Sequence, residues 1–179
     1  KEDAIEAVDT LESMGVETVM LSRDTYPVAR RFADFLGISQ VLAGIRSNEK
    51  PAAVRALHTQ GATVAMVCDS SVLPVLRVAD SGILYAGKDL YGTTAPNWNS
   101  LCDVVLIRND VMAVPQLVEH ARRVNRIAET NLRFAGTYNA LAILLAAAGV
   151  LPPVGATLLM LGSSLLVEYG SRRASRFRV

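Results

Sequence analysis

Two aspartates, Asp24 and Asp69, stand at matching positions in two segments of similar design. In each segment an amphipathic helix ends at a glycine, Gly15 or Gly61, and a short apolar run of β-forming residues leads to the aspartate. Open α/β sheets bind their ligands at the carboxyl ends of parallel strands. The repeated carboxylates therefore predict an anion or metal site at that edge of a sheet.

Lys50 is a candidate for binding the anion, because it opens the second repeated helix. At a helix start, its ammonium group and the backbone N–H groups could both face an anion, although a solvated surface lysine is the alternative. Asp69 would hold Mg²⁺ through oxygen, the ligand atom that hard cations prefer. Asp24 lies shortly before Pro27, so a helix N-cap is the alternative role for its carboxylate.

The elements that would position these side chains alternate between helix and strand. The pattern predicts helices at about 3–14, 27–36, 51–59 and 72–79, and strands at about 17–22, 40–43, 63–68, 82–85 and 103–107. A turn-rich stretch at 87–100 predicts a surface loop, and a long helix begins near 111. This alternation is typical of a parallel sheet with helices on both faces, a Rossmann-like α/β fold.

The segment 134–167 contains no charged residue and is interrupted at Pro152 and Pro153. Each of its two arms has roughly 17 residues and, at about 1.5 Å per residue, would be about 25 Å long as a helix. Four arginines precede the first arm and four follow the second. Basic flanks predict a membrane hairpin with both ends in the cytoplasm. A buried helical hairpin in a soluble domain is the alternative.

Five residues in this apolar segment are polar or soft: Tyr138, Asn139, Met160, Ser163 and Ser164. Such groups in membrane helices commonly serve function or helix association. A methionine thioether suits Cu⁺, which makes these residues candidate ligands for a metal ion. Ordinary packing is the alternative for the methionine, and a bond to the carbonyl one turn back is the alternative for the serines. Glu168 lies just past the segment and is expected at the membrane interface.

Composition limits the remaining function classes. The chain has 179 residues, of which 51% are hydrophobic and 20% charged, with a formal net charge of +1. No basic stripe covers the α/β part, which argues against nucleic acid as a partner.

Cys68 and Cys102 form no CxxC pair and are interpreted as reduced thiols, while His58 and His120 are expected on solvated helix faces. Because the chain begins inside a helical pattern without Met, we expect it to be part of a longer protein.

An ordered series of segments resembles one family. Val19–Asp24 is similar to the Thr-Gly-Asp segment of P-type ATPases, Asn48–Lys50 to their Asp-Lys, and Val64–Asp69 to their Val-Ala-Met-Val-Gly-Asp. Tyr138-Asn139 and Met160–Ser164 are similar to the Tyr-Asn and Met-x-x-Ser-Ser pairs of copper-type heavy-metal pumps. The resemblance implies the carboxyl-terminal part of a haloacid-dehalogenase-like phosphorylation domain at 1–118. It implies a stalk helix and two transmembrane helices at 119–179.

The resemblance also implies roles, cofactors and partners. Asp24 and Lys50 would bind ATP and act in catalysis with Asp69, which would also hold Mg²⁺. The transported metal ion would be Cu⁺, with Tyr138, Asn139, Met160 and Ser163 as its ligands. Partners would be upstream segments of the same pump, namely the actuator, the nucleotide-binding domain and other membrane helices. The lipid bilayer would be a further partner, in a multi-pass protein of the cell membrane.

The chain departs from the family pattern in its second motif. Where the family has Gly-Asp-Gly-x-Asn-Asp, this sequence reads Cys68-Asp-Ser-Ser-Val-Leu73, so the asparagine and second aspartate are replaced by apolar residues. Ser70 also replaces a glycine that would let the backbone turn tightly. The Asp-Lys-Thr-Gly-Thr strand with the phosphorylated aspartate and the Cys-Pro-Cys motif do not occur in these residues.

Two functional hypotheses follow. The chain is the carboxyl-terminal portion of a cation pump that couples ATP-driven phosphorylation to ion translocation. Alternatively, it belongs to a catalytically dead pseudo-ATPase that acts as a regulatory or assembly protein in the membrane. A soluble haloacid-dehalogenase phosphatase is disfavoured, because it would need its own nucleophilic aspartate and no hairpin.

Overall fold

The computed structural model describes residues 2–86, 102–107, 110–150 and 152–175. Its elements follow the predicted order along the chain: α1 (Glu2–Ser13), β1 (Val19–Leu21), α2 (Tyr26–Leu36), β2 (Gln40–Leu42), α3 (Lys50–Thr59), β3 (Ala65–Cys68), α4 (Leu73–Leu76), β4 (Ser81–Tyr85), β5 (Val104–Leu106), α5 (Ala113–Ala147) and α6 (Pro153–Ser175). A 3₁₀ turn, Ser70–Val72, precedes α4. The predicted helix at 72–79 is therefore shorter than expected, and the predicted loop at 87–100 lies outside the described residues.

The chain divides into two compact units, Lys1–Pro115 and Gln116–Val179. The sequence placed a boundary three residues later, between 118 and 119. The first unit holds all the described strands, and the second holds α6 and nearly all of α5.

All strand pairs in the first unit are parallel, as predicted. The described strands form two ladders rather than one sheet, with β1 beside β2 and the order β3-β4-β5 in the other. Apolar periodicity shows which residues are buried and not which strands are neighbours, so the sequence could not reveal this division.

Two apolar clusters form the core of this unit. Val8, Ala33 and Ile38 form the cluster beneath β1 and β2. Val54, Val72 and Val75 form the second, and side chains from both ladders contact it: Leu21 from β1 and Met66 and Cys68 from β3. The two ladders therefore share one core although their described strands are not hydrogen-bonded to each other.

Helix α2 ends at Gly37, which has φ of 80° and ψ of 9°. Its N–H donates to the carbonyls of Ala33 and Asp34, and Ile38 N–H donates to Ala33 O at 2.9 Å. A left-handed residue of this kind is accommodated best by glycine. The turn directs Ile38 into the first cluster and positions β2 beside β1.

Gly82 in β4 allows α4 to approach the strand closely. A Cβ at this position would lie 2.8 Å from Leu76 O and 3.0 Å from Leu76 Cβ. Its N–H donates to Asp103 Oδ2 at 2.7 Å, and its carbonyl accepts from Asp103 N–H at 2.9 Å. Gly82 thus joins α4, β4 and the segment that leads into β5.

We expect Gly82→Ala to lower the free energy of unfolding by about 2 kcal/mol, because the new methyl group collides with backbone and forces β4 and α4 apart. Urea denaturation followed by circular dichroism measures the change. Gly136→Ala is the matched control, since a Cβ at that helical position meets no atom within 4 Å. Equal unfolding midpoints for the two variants would contradict the close approach.

The second unit contains the two long helices. The break predicted at Pro152 and Pro153 is confirmed, because α5 ends at Ala147, Gly149 has φ of 72°, and α6 begins at Pro153. Among the residues that the structure describes, no helix combines the length and the apolarity needed to cross a membrane.

Candidate functional site

Asp69 follows β3 and caps the 3₁₀ turn that comes after it. Its Oδ1 accepts a hydrogen bond from the backbone N–H of Ser71 at 2.9 Å and a second from the Ser71 hydroxyl. These bonds, the hydroxyl bond first, lower the pKa of the Asp69 carboxyl, and the charge of Lys50 lowers it further. Asp69 is therefore ionised at neutral pH, as a metal ligand must be.

The turn that Asp69 caps explains how the altered motif folds. No residue other than glycine has a positive φ in the described chain, so the serine at position 70 is accommodated without backbone strain. Val72 occupies a position where the family pattern has polar residues, and it is 6% exposed within the second cluster. The apolar replacement thus contributes to the core instead of to a ligand site.

Lys50 begins α3, and its charge helps to lower the pKa of Asp69 and opposes part of the rise in the pKa of Cys68. Two of the predicted site residues, Lys50 and Asp69, are therefore within electrostatic reach of each other. Burial is the largest influence on the Cys68 thiol and raises its pKa to about 11, so the thiol is protonated at neutral pH. A neutral thiol leaves Lys50 and Asp69 as the charged pair at this edge.

The expectation that backbone N–H groups at the start of α3 would face an anion is wrong. Lys50 N–H donates to Arg46 O at 3.1 Å, and Ala52 N–H donates to Glu49 O at 2.9 Å. Pro51 has no N–H to offer. A turn before the helix uses these donors, so the ammonium is the part of Lys50 that could face an anion.

Asp24 lies on the loop after β1, in the other ladder. Its Oδ2 accepts from the Ser22 hydroxyl at 3.0 Å, its N–H donates to Ser22 Oγ at 3.1 Å, and its carbonyl accepts from Gly44 N–H at 2.8 Å. The N-cap of α2 is Thr25, so the alternative role of Asp24 as a helix cap is wrong. The carboxylate is exposed on a loop that the backbone bonds hold in place.

His58 and Asp80 form a contact that sequence reasoning missed. His58 Nε2 lies 2.9 Å from Asp80 Oδ2, and the His58 side chain is 29% exposed, so the expectation of a solvated histidine is wrong. Asp80 Oδ2 also accepts from Val64 N–H at 2.8 Å, which is the largest cause of its lowered pKa. Asp80 thus links α3 to the start of β3, a role that no local pattern indicates.

Magnesium would need more ligands than the described residues supply. No group of three or more His, Cys, Asp or Glu side chains comes together in the described ranges. The Asp69 carboxylate has the right donor chemistry, and one of its oxygens is already committed to Ser71. Asp69 would therefore fit as one carboxylate ligand of a magnesium ion.

The helical unit brings together some of the predicted ion ligands. Asn139, Ser163 and Ser164 line one open cleft of about 460 Å³ together with Glu168. The cleft-lining residues do not include Tyr138, whose ring stacks on Phe134 with centroids 5.9 Å apart. Glu168 was expected at a membrane interface. It follows Ser164 by four residues and therefore lies on the same face of the helix.

Met160 presents its backbone and not its thioether to these serines. Ser163 and Ser164 both donate their hydroxyl hydrogens to Met160 O, at 2.9 and 3.1 Å. The alternative given for the serines, a bond to the carbonyl one turn back, is therefore confirmed. The Met160 residue is 70% exposed and is not among the residues that line the cleft.

Comparison with known proteins relates the chain to metal pumps. No protein-family model matches it. It is 38% identical over 160 residues to human copper-transporting ATPase 2, covering 88% of this chain and 10% of that protein. It is 36% identical over 178 residues to a probable copper-exporting P-type ATPase V of Mycobacterium tuberculosis, covering 99% of this chain and 22% of the relative. The chain thus spans less than a quarter of the length of these relatives.

Solved structures also relate the chain to metal-transporting ATPases. A crystal structure of a zinc-transporting PIB-type ATPase in the E2.Pi state superposes with a TM-score of 0.84 at 26% identity, covering 98% of this chain and 28% of that one. A cobalt-bound deoxy-D-mannose-octulosonate 8-phosphate phosphatase from Haemophilus influenzae superposes with a TM-score of 0.52 at 22% identity, covering 66% of this chain. The second likeness concerns the fold of the α/β part alone.

Proposed function

We propose that this chain, which belongs to the heavy-metal branch of the P-type ATPases, is the part of a cation pump that links phosphorylation to ion translocation. The observation that carries the proposal is the likeness to a metal-transporting ATPase over 98% of the chain, through both the α/β unit and the helical unit. A soluble phosphatase would account for the first unit only.

The two ladders support a contribution from another part of the pump. Among the described strands, β1 pairs with β2 and β3 pairs with β4, so each has one edge without a strand partner. Both pack on the same cluster through Leu21 and Met66. We place a further parallel strand from another segment, the one that carries the phosphorylated aspartate, between these edges. Its carboxyl end would then lie at the same edge of the sheet as Asp69.

The charged residues of this edge have separate roles in the proposal. The Lys50 ammonium neutralises charge on the phosphoryl oxygens, the contribution that dominates catalysis of phosphoryl transfer. Asp69 would supply one oxygen ligand to Mg²⁺, and the bound ion would supply positive charge that neutralises phosphate. Asp24, held on its loop by Ser22 and Gly44, approaches the nucleotide.

The helical unit supports a place in the membrane. Large apolar side chains on both helices point outward and are at least 55% exposed: Leu141, Ile143, Leu144, Val154, Leu158, Leu161 and Leu165. An apolar surface of this kind requires an apolar environment or partner helices. We propose that the bilayer and the other membrane helices of the pump cover it. The arginines that flank the segment support a topology with both of its ends in the cytoplasm.

The full-length protein that carries this chain, given ATP, Mg²⁺ and a transported ion, should form an acid-stable phosphoenzyme that hydroxylamine removes. Radiolabelled ATP followed by acid quench measures it. We expect labelling to depend on the metal ion, because ion binding and phosphorylation are linked in the proposed cycle. Complete absence of label under saturating Mg²⁺ with Cu⁺, Zn²⁺ or Mn²⁺ would leave only the pseudo-ATPase.

A further inference from the structure

Three residues of α3 lie on one face of the helix at intervals of four: Lys50, Val54 and His58. Val54 is 1% exposed within the second cluster, whereas its neighbour Arg55 points to solvent. The face that carries Lys50 and His58 is therefore the face that packs on the core. Lys50 stands at the start of this face, and His58 belongs to the last turn of the helix.

The contact in the last turn of α3 involves a buried nitrogen. The Nε2 atom of His58 is buried, and a buried ring nitrogen is costly unless a polar group faces it. Asp80 Oδ2 lies 2.9 Å from this atom and also accepts from Val64 N–H at 2.8 Å. Asp80 N–H donates to Val64 O at 3.0 Å. His58 is thus joined through Asp80 to the residue that precedes β3.

Helix α3 and strand β3 run in opposite directions between two contacts. At one end, the charge of Lys50 acts on Asp69, which follows the carboxyl end of β3. At the other end, the contact of His58 with Asp80 lies beside the start of β3. A helix of 10 residues is about 15 Å long, so a small tilt at the His58 end displaces the Lys50 end.

We propose that His58 is a positioning residue for Lys50. Its contact with Asp80 fixes the tilt of α3 about the buried Val54. The Lys50 ammonium is thereby held at the edge where Asp69 stands. The inference rests on the proposed phosphoryl transfer and adds to it a residue at the opposite end of α3, which touches neither nucleotide nor metal and acts through Lys50.

Rapid quench of phosphoenzyme formation in the full-length protein tests the proposal. We expect His58→Leu to slow phosphorylation by about tenfold, because a small displacement of a catalytic group far from the mutation costs much of its effect. His58→Gln should recover most of the rate, since its terminal amide keeps an N–H donor for Asp80. Val8→Ala is the control for lost stability, because it removes packing from the first cluster beneath β1 and β2. It should phosphorylate at the wild-type rate, and a rate as slow as that of His58→Leu would overturn the proposal.

A double-mutant cycle shows whether His58 acts through Lys50. In the Lys50→Met background, His58→Leu should change the phosphorylation rate by less than about twofold, because the ammonium that it would displace is already absent. If His58→Leu slowed phosphorylation equally in both backgrounds, His58 would act independently of Lys50 and the positioning role would be wrong.

The accessibility of Lys50 provides a readout that needs no phosphorylation. Lys50 is half-buried, and His58→Leu should speed its acetylation by acetic anhydride by about twofold or more, since a less constrained helix end opens more often. Mass spectrometry of peptides from the full-length protein measures the rate, which Val8→Ala should leave unchanged. Faster acetylation in His58→Leu without any phosphoenzyme in the wild type would support the positioning role and refute the pump. An unchanged acetylation rate would refute the positioning role, whereas phosphorylation of the wild type would still support the pump.

Discussion

Replacing Lys50 by methionine should slow phosphoenzyme formation by about 10²-fold, the loss expected when one fixed positive group is removed from a site of developing charge. Methionine keeps the unbranched length of the side chain and helix propensity, so α3 should form as before. The turn before α3 already uses the backbone N–H groups of Lys50 and Ala52. Rapid quench at saturating ATP and Mg²⁺ measures the rate.

Arg55→Met serves as the control, because Arg55 is an exposed cation on the same helix. It should phosphorylate at the wild-type rate, whereas Lys50→Arg should recover part of the lost rate by restoring the charge with a different shape. Equal rates for Lys50→Met and the wild type would mean that this lysine is an ordinary surface residue, the alternative that its sequence position left open.

Much of the fold follows from the sequence because it depends on local patterns. Helix α2 ends at Gly37, the apolar runs form β1 to β5, and the paired prolines at 152 and 153 separate α5 from α6. Each of these features is decided within a few residues along the chain. The division of the strands into two ladders is decided between distant segments and could not be predicted.

For the site residues too, local patterns were predictable from the sequence and contacts between distant segments were not. The charge of Lys50 influences Asp69, as the sequence could suggest because both belong to positions that a parallel fold brings to one edge. The contacts of Asp80 with His58 and Val64 depend on side-chain directions in three dimensions, which no spacing rule gives. Glu168 lines the same cleft as Asn139, a neighbourhood that hydropathy counted along the chain does not indicate.

Asp69 performs two tasks that two substitutions should separate. Asp69→Asn keeps an oxygen that can accept from the Ser71 N–H, so the 3₁₀ turn should remain capped, while the negative charge that a Mg²⁺ ligand needs is lost. We expect phosphorylation at physiological Mg²⁺ to fall by about 10²-fold with little change in the unfolding midpoint. Asp69→Ala should show the same catalytic loss and also lose about 1 kcal/mol of stability with the cap.

The pH dependence provides a second measurement of the cap. Because folding lowers the pKa of Asp69, its contribution to stability is fully present above the unfolded value of about 4 and is lost as the pH falls through the folded pKa. The stability difference between wild type and Asp69→Ala should therefore be constant between about pH 5 and about pH 7, and it should shrink below about pH 4. Denaturant unfolding at each pH measures it. A stability difference that stayed constant down to about pH 2 would show that the cap does not depend on the ionised carboxylate. The lowered pKa of Asp69 would then have no part in stabilising the turn that brings Val72 into the core.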